Sequence, residues 1–226
     1  MKKVRVEAST KKDRTSEIFG NPMSKKVIRK AQKSKQKNQK KYGDDSKVNY
    51  QCIIRDNSCI GGPLGVKNVV VTRKEGKGSF DEEKGVIVGN IRMGFGHYRI
   101  SMAIASAAHA LGYTPYWMDL NSYPETTCTK LISAQNELYS LGSRISQKSK
   151  LFNKFVWEPV NYEGFRQLSY NAADQKNAEL MAPVYHSVPK DIPVIATHVW
   201  PAQAAVHAGM KHVVNAIPDN WPMALH

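Results

Sequence analysis

Residues 84–120, KGVIVGNIRMGFGHYRISMAIASAAHALGYTPYWMDL, constrain the fold more than any other part of the chain. They open on GVIVGNI, an apolar run of strand length. Such a run, without polar alternation, suits a strand buried on both faces. A glycine-rich turn follows. Ile100, Ile104, Ala107 and Leu111 then recur at three- and four-residue steps, the spacing of one helix face. Gly112 stands where helices commonly end in a left-handed residue. YTPYWMDL supplies a second strand, with Asp119 near its carboxyl end. Strand, helix and strand in that order predict a right-handed crossover and a parallel sheet.

The pattern continues downstream. TTCTKLISAQNELYSLGSRISQKSK reads as one helix, with Leu131, Leu138 and Leu141 near one face. NAADQKNAELMAPVYHSV reads as another. Between them lies an aromatic-rich segment broken by Pro159 and Gly164. Its Trp157, Tyr162, Phe165 and Tyr170 fit a helix–helix core better than an acceptor groove. IPVIATHVW gives a third buried strand. PAQAAVHAGM gives a short helix opened by Pro201, a favoured first-turn residue, and KHVVNAIPD gives a fourth strand. Residues 84–226 are therefore expected to form a Rossmann-like α/β domain of three layers, with at least four parallel strands and helices on both faces. A sheet that stops just after a strand reads as truncated, with a second domain expected to follow.

The preceding residues read differently. The formal net charge is +14, and MSKKVIRKAQKSKQKNQKKYG carries much of it. Residues 1–47 are expected to be a flexible basic arm, mobile or a lone solvated helix, because they offer little apolar surface to bury. Residues 24–41 would suit an anionic membrane surface. Nucleic acid is the weaker partner, since few aromatics interleave the lysines to stack on bases. Residues 48–83 read as a short β-rich extension and linker. There VNYQCIIRD and KNVVVTRKEG flank the turn-forming NSCIGGPLG, and KEGKGSFDEEK follows. Cys52, Cys59 and Cys128 form no CxxC pair, which points to free thiols in a reducing, cytoplasmic compartment. No apolar run reaches membrane-spanning length.

The loop GNIRMGFGHYR fails two fingerprints. Gly89 and Gly94 have P-loop spacing, but Phe95 stands where the phosphate-binding lysine belongs. Gly94 and Gly96 begin a dinucleotide motif, but Arg99 replaces its third glycine. A nicotinamide or flavin enzyme is thus the weaker alternative. What remains is His97 in the first turn of a helix whose N–H groups and dipole favour negative charge. A neutral imidazole there can take a proton from a hydroxyl group. It can equally serve as a helix cap.

Taken together, the GFGH loop between strand and small-residue helix, the MDL strand end, IATHVWP and NAIPDNW resemble the N-terminal domain of GT-B glycosyltransferases. The similarity is to the monogalactosyldiacylglycerol synthases and processive diacylglycerol glucosyltransferases, and it covers about residues 84–226. The loop departs from three successive glycines, and Pro218 replaces the usual Thr before Asp219. The resemblance implies an acceptor-binding half of an enzyme that moves a sugar from a nucleotide-sugar to a lipid or glycan hydroxyl. It implies a catalytic role for His97, as general base on the acceptor hydroxyl or as a contact to the donor phosphates, and for Asp219, orienting a histidine or the acceptor. Gly94, Phe95, Gly96, Asp119 and His198 would contact substrate. It implies no metal and no cofactor besides the donor, and a bacterial enzyme peripheral at the inner face of the plasma membrane. The alternative is an inactive relative that binds polyanions through the basic arm.

Overall fold

A computed structural model of the chain describes residues 13–74, 76 and 79–217. It starts with a minimal hairpin, β1 (Glu17–Ile18) against β2 (Asn21–Pro22), and an 18-residue helix, α1 (Lys25–Tyr42). Next come β3 (Gln51–Asp56), the single turn α2 (Gly61–Leu64) and β4 (Lys67–Thr72). The central unit is β5 (Gly85–Asn90), α3 (Phe95–Ala110) and β6 (Thr114–Asp119). A long helical passage begins with α4 (Thr127–Lys148), α5 (Lys150–Phe152), a π turn at Asn153–Trp157 and α6 (Glu158–Tyr162). It ends with a 3-10 turn at Gly164–Arg166, α7 (Leu168–Ala178) and a second 3-10 turn at Ala182–Tyr185. The chain then returns through β7 (Val194–Ala196), α8 (Val199–His207) and β8 (Val213–Asn215). No described helix is long and apolar enough to cross a membrane.

Six strands form one sheet in the order β3-β4-β6-β5-β7-β8. β4 to β8 run parallel, and β3 closes one edge antiparallel to β4. The fold is α/β with a mostly parallel sheet, and the four parallel strands expected after residue 84 are present. Every residue of β5 is buried, as its unbroken apolar run requires. Side-chain alternation divides the core. Ile87, Met118 and Val194 face one layer with Leu131 and Tyr185. Val88 and Trp117 face the other with Ala105 of α3. Helices therefore cover both faces.

Residues 48–83 are not an appendage to this sheet but part of it. The hairpin of β3 and β4 forms as expected, and β4 also pairs with β6, Lys67 opposite Tyr116 and Asn68 opposite Trp117. Val69 and Val71 thereby join the same core as Ile87.

The basic arm also differs from expectation. Within it, α1 is docked rather than free. Ala31 is buried against Ala172 of α7, with Val27 and Leu168 packed alongside. Lys35 pairs with Glu179, and Asn38 donates to Asn177 Oδ1 at 2.9 Å. At its C-terminal end, the Asp45 carboxylate accepts from the Thr127 N–H at 2.6 Å, fastening the segment to the start of α4. A stripe of one alanine, one valine and hydrogen-bonding side chains is enough because a small residue lets two helix backbones approach closely.

Two helix faces are rotated from the expected ones. In α3 the buried residues are Ser101 and Ala105, whereas Leu111 is exposed. Small side chains let this helix lie close on the strands. In α4, Leu131 is buried but Leu138 and Leu141 are exposed, because the helix leaves the sheet after its first turns. His109 packs its ring over Gly65, in keeping with a structural residue.

Candidate functional site

The sheet order makes β5 the divergence point of the fold. From β5 the chain passes to β6 on one side and later to β7 on the other. Loops that follow β5 and β7 therefore separate at the carboxyl edge, and such crevices are where open α/β sheets bind ligands.

The glycine turn after β5 brings α3 up to this crevice. Gly94 has φ 83° and no side chain to cap the helix it precedes, and the first turn of α3 holds no acidic residue. A Cβ at Gly96 would meet no atom within 4 Å, so packing inside the chain does not demand glycine there. Glycine in a helix costs about 1 kcal/mol relative to alanine. Among the described residues no side chain caps the first turn of α3, so its N–H groups and positive dipole end face the carboxyl edge of the sheet.

His97 sits in that turn, half-buried, with Nδ1 2.6 Å from the Thr197 carbonyl oxygen. A carbonyl only accepts, so Nδ1 carries the proton. In the corresponding neutral tautomer the lone pair is at Nε2. Two hydroxyls brace the arrangement. Ser101 Oγ donates to the His97 carbonyl at 2.9 Å. Having given its only proton there, it accepts from Thr197 Oγ1 at 2.8 Å. His97 thus bridges the loop after β5 to the loop after β7, across the divergence point.

His198 lies beside it, with ring centroids 5.0 Å apart and planes nearly perpendicular. It is the N-cap of α8, its Nδ1 accepting from the Trp200 N–H at 3.2 Å. Its neutral form therefore carries the proton on Nε2. The two neutral imidazoles thus hold opposite tautomers, protonated at Nδ1 in His97 and at Nε2 in His198. α8 is anchored below by Trp200, whose Nε1 donates to both Asp174 carboxylate oxygens at 2.9 and 3.0 Å. Burial pushes Asp174 up to about 7, although hydrogen bonds from Trp200 and Gln203 work against this.

Asn90, the last residue of β5, was not singled out by sequence reasoning. It is fully buried, and neither its amide nitrogen nor its amide oxygen has a hydrogen-bond partner. Alternation along β5 places it on the face of Val88, beneath α3, between Asp119 on β6 and the residue after Ala196 on β7. A polar residue ending an otherwise apolar strand was its only signal in the sequence. Thr197, polar after VIA, carried the same one.

Asp119 lies on the far side of α3 from the histidine pair. Its carboxylate pairs with Arg92 at 2.7 Å and accepts from the Asn121 N–H and the Ser122 hydroxyl. It borders a cleft of about 670 Å³, together with Asn68, Arg92, Phe95, Tyr98 and Trp117. Phe95 is 81% exposed at its lip. Gly94 borders this cleft too, whereas His97 and His198 do not. Of the residues named from sequence, Gly94, Phe95, Gly96, His97 and His198 come together around the first turn of α3. Asp119 is its neighbour, and Asp219 lies outside the described residues.

Trp157, Phe165 and Tyr170 pack among helices, Trp157 on Tyr139 and Phe165 on Tyr170, whereas Tyr162, expected in that core, is exposed. Among the described residues, no group of three or more His, Cys, Asp or Glu side chains is placed to hold a metal ion. Cys52 and Cys128 are buried, and burial pushes both thiols up, which suits packing rather than reactivity.

No curated protein and no solved structure matches the chain. A family described as a domain of unknown function (DUF6937) matches residues 17–226, a span that takes in α1 and the β3–β4 hairpin together with the sheet. The chain belongs to that family.

Proposed function

We propose that this domain is the acceptor half of a GT-B-like glycosyltransferase, moving a sugar from a nucleotide-sugar to a lipid or glycan hydroxyl. The observation that carries the reading is His97, held by the Thr197 carbonyl with its Nε2 lone pair available beside a helix N-terminus that no described side chain caps. In the proposed step the acceptor oxygen attacks the anomeric carbon and forms the new C–O bond. The bond from that carbon to the nucleotide phosphate breaks, the nucleoside diphosphate leaves, and the acceptor proton passes to His97 Nε2. The α3 N–H groups would balance negative charge on the reacting oxygen or the leaving phosphate. His198 would orient the acceptor from the other loop. The cleft beside Phe95, Tyr98 and Trp117 would take the apolar or ring portion of the acceptor.

The test is transfer of labelled hexose from a panel of uridine and guanosine diphosphate sugars to diacylglycerol and to glycan acceptors by the intact protein. Transfer by wild type, lost in His97 variants that stay folded, is the expected result. This half alone is expected to bind acceptor without transferring sugar; a folded domain that binds no acceptor, or a full-length enzyme that transfers no sugar, would overturn the reading.

One observation favours a second reading, a polyanion-binding module. Docked α1 exposes Lys26, Arg29, Lys30, Lys33, Lys37 and Lys41, with no acidic residue in the helix. In that case heparin or duplex DNA, and not nucleotide-sugars, would raise the thermal midpoint.

A further inference from the structure

The largest feature that the proposed site does not use is the helical projection from α4 to α6. After Ile132 the buried positions of α4 end, and its outer face presents Leu138, Leu141 and Ile145 at three- and four-residue steps. The returning arm adds Leu151, Phe155, Val156 and Val160. Leu138, Leu151 and Phe155 are 71%, 73% and 68% exposed, so these side chains gain almost nothing from folding. A cluster of large apolar side chains in water signals a docking surface on a soluble scaffold.

The cluster is built, not frayed. Gly142 lets Trp157 press against α4, since a Cβ there would lie 2.2 Å from its ring. Tyr139 stacks on the same ring at 5.2 Å. The π turn, in which the Glu158 N–H reaches the Asn153 carbonyl, holds one extra residue. That residue lets Trp157 turn inward while Phe155 and Val156 face out.

Charge identifies the occupant. From 144 to 156 the tip carries Arg144, Lys148, Lys150 and Lys154 and no acidic residue. In sequence these cations alternate with Ile145, Leu151 and Phe155; Lys154 lies over the Phe155 ring at 5.7 Å, and Glu158, just beyond, accepts from Asn153 Nδ2. Exposed apolar side chains interspersed with cations match an anionic bilayer interface: the hydrocarbon boundary takes the former and lipid phosphates take the latter. A second copy of the same tip fits poorly, because a twofold contact would bring the two sets of cations face to face.

We propose that the tip of the α4–α6 projection inserts into the surface of an anionic lipid bilayer. The proposal is independent of the sugar-transfer reading. It also differs from a contact through residues 24–41, whose exposed face is polar and offers no insertion.

The test is flotation of the full chain with vesicles of phosphatidylcholine containing roughly one-third phosphatidylglycerol. The variants are Leu151→Ser/Phe155→Ser and Lys150→Glu/Lys154→Glu. A control variant, Lys30→Gln/Lys33→Gln/Lys37→Gln, lies on α1. Each tip variant should keep the wild-type circular dichroism and thermal midpoint, since the altered side chains are exposed. Each should partition about tenfold or more weakly, whereas the α1 variant changes binding by a smaller factor. Tip variants that bind like wild type, or a folded wild type that does not float, would overturn the proposal. So would a wild-type dimer that Leu151→Ser/Phe155→Ser turns into a monomer while vesicle binding persists, because the patch would then belong to a second copy.

Discussion

At the scale of single residues, the histidine pair separates two roles that the sequence left open. His97 makes one bond a structural residue would need, Nδ1 to the Thr197 carbonyl, and leaves Nε2 for chemistry. Asparagine can place an amide N–H near the Nδ1 position but offers no base. His97→Asn should therefore keep the midpoint within about 1 °C of wild type and lower transfer by roughly a hundredfold. His97→Ala should lose the rate and also about 1 kcal/mol of stability, read by urea denaturation. Equal rates in wild type and His97→Asn would leave His97 as scaffold alone. Asn90 poses the opposite case. A buried amide without partners costs stability, on the order of 1–3 kcal/mol. Asn90→Leu is of similar size and removes that cost. The variant should be as stable as wild type or more so, yet bind acceptor or nucleotide-sugar at least tenfold more weakly in calorimetry. Unchanged binding would show that the amide serves no ligand.

At the scale of elements, the pattern of apolar residues located the helices but not always their faces. Ile100, Ile104 and Leu111 suggested one face of α3, whereas Ser101 and Ala105 are the buried pair. Contact with a sheet selects small side chains there, and small side chains carry little hydropathy signal. The same reason hid the docking of α1. Its seam is Ala31 on Ala172, bordered by Lys35–Glu179 and Asn38–Asn177, and a reading by composition sees only lysine and glutamine. Glu179 is held below the usual carboxylate range; burial would raise it, but Lys176 and Lys35 outweigh that. Ala31→Glu puts a carboxylate into this seam against Ala172 and Ile18. It should cost about 2–4 kcal/mol and free α1, making its lysines rapid trypsin sites while the sheet stays intact. A digestion pattern like wild type would mean that the contact with α7 does not hold the helix.

At the scale of the molecule, the central sheet was the most legible feature, because GVIVGNI, YTPYWMDL and IPVIATHVW can be buried only by neighbours on both sides. Their order was not legible, nor was the recruitment of β3 and β4, since pairing is settled by contacts far apart in sequence. The meeting of His97 with Thr197, 100 residues on, follows from that order alone. Long-range packing also couples two titrating groups that no local pattern links. Asp174, under α8, is pushed up to about 7 by burial. Its neutral form is favoured in the fold, so its contribution is full below about pH 4 and is lost as pH rises toward 7. His207, at the other end of α8, is pushed down to about 4 by burial, partly countered by Glu179. Its neutral form is favoured too, so its contribution is full above about pH 6.5 and is lost as pH falls toward 4. His186 is lowered by burial and Lys190 and acts in the same direction as His207. Between pH 4 and 6.5 the two trends oppose each other, and wild-type stability should stay nearly flat. Asp174→Asn keeps an acceptor for Trp200 Nε1 and removes the falling trend, so its stability should climb by about 3 kcal/mol over that window. His207→Gln keeps a donor near Gln175 Oε1, the partner of His207 Nε2 at 2.7 Å, and removes most of the rising trend. Its stability should fall over the same window. Urea midpoints at half-unit pH steps would read both slopes. Slopes of the same sign in the two variants would mean that α7 and α8 do not hold these groups in the protonation states that their burial requires.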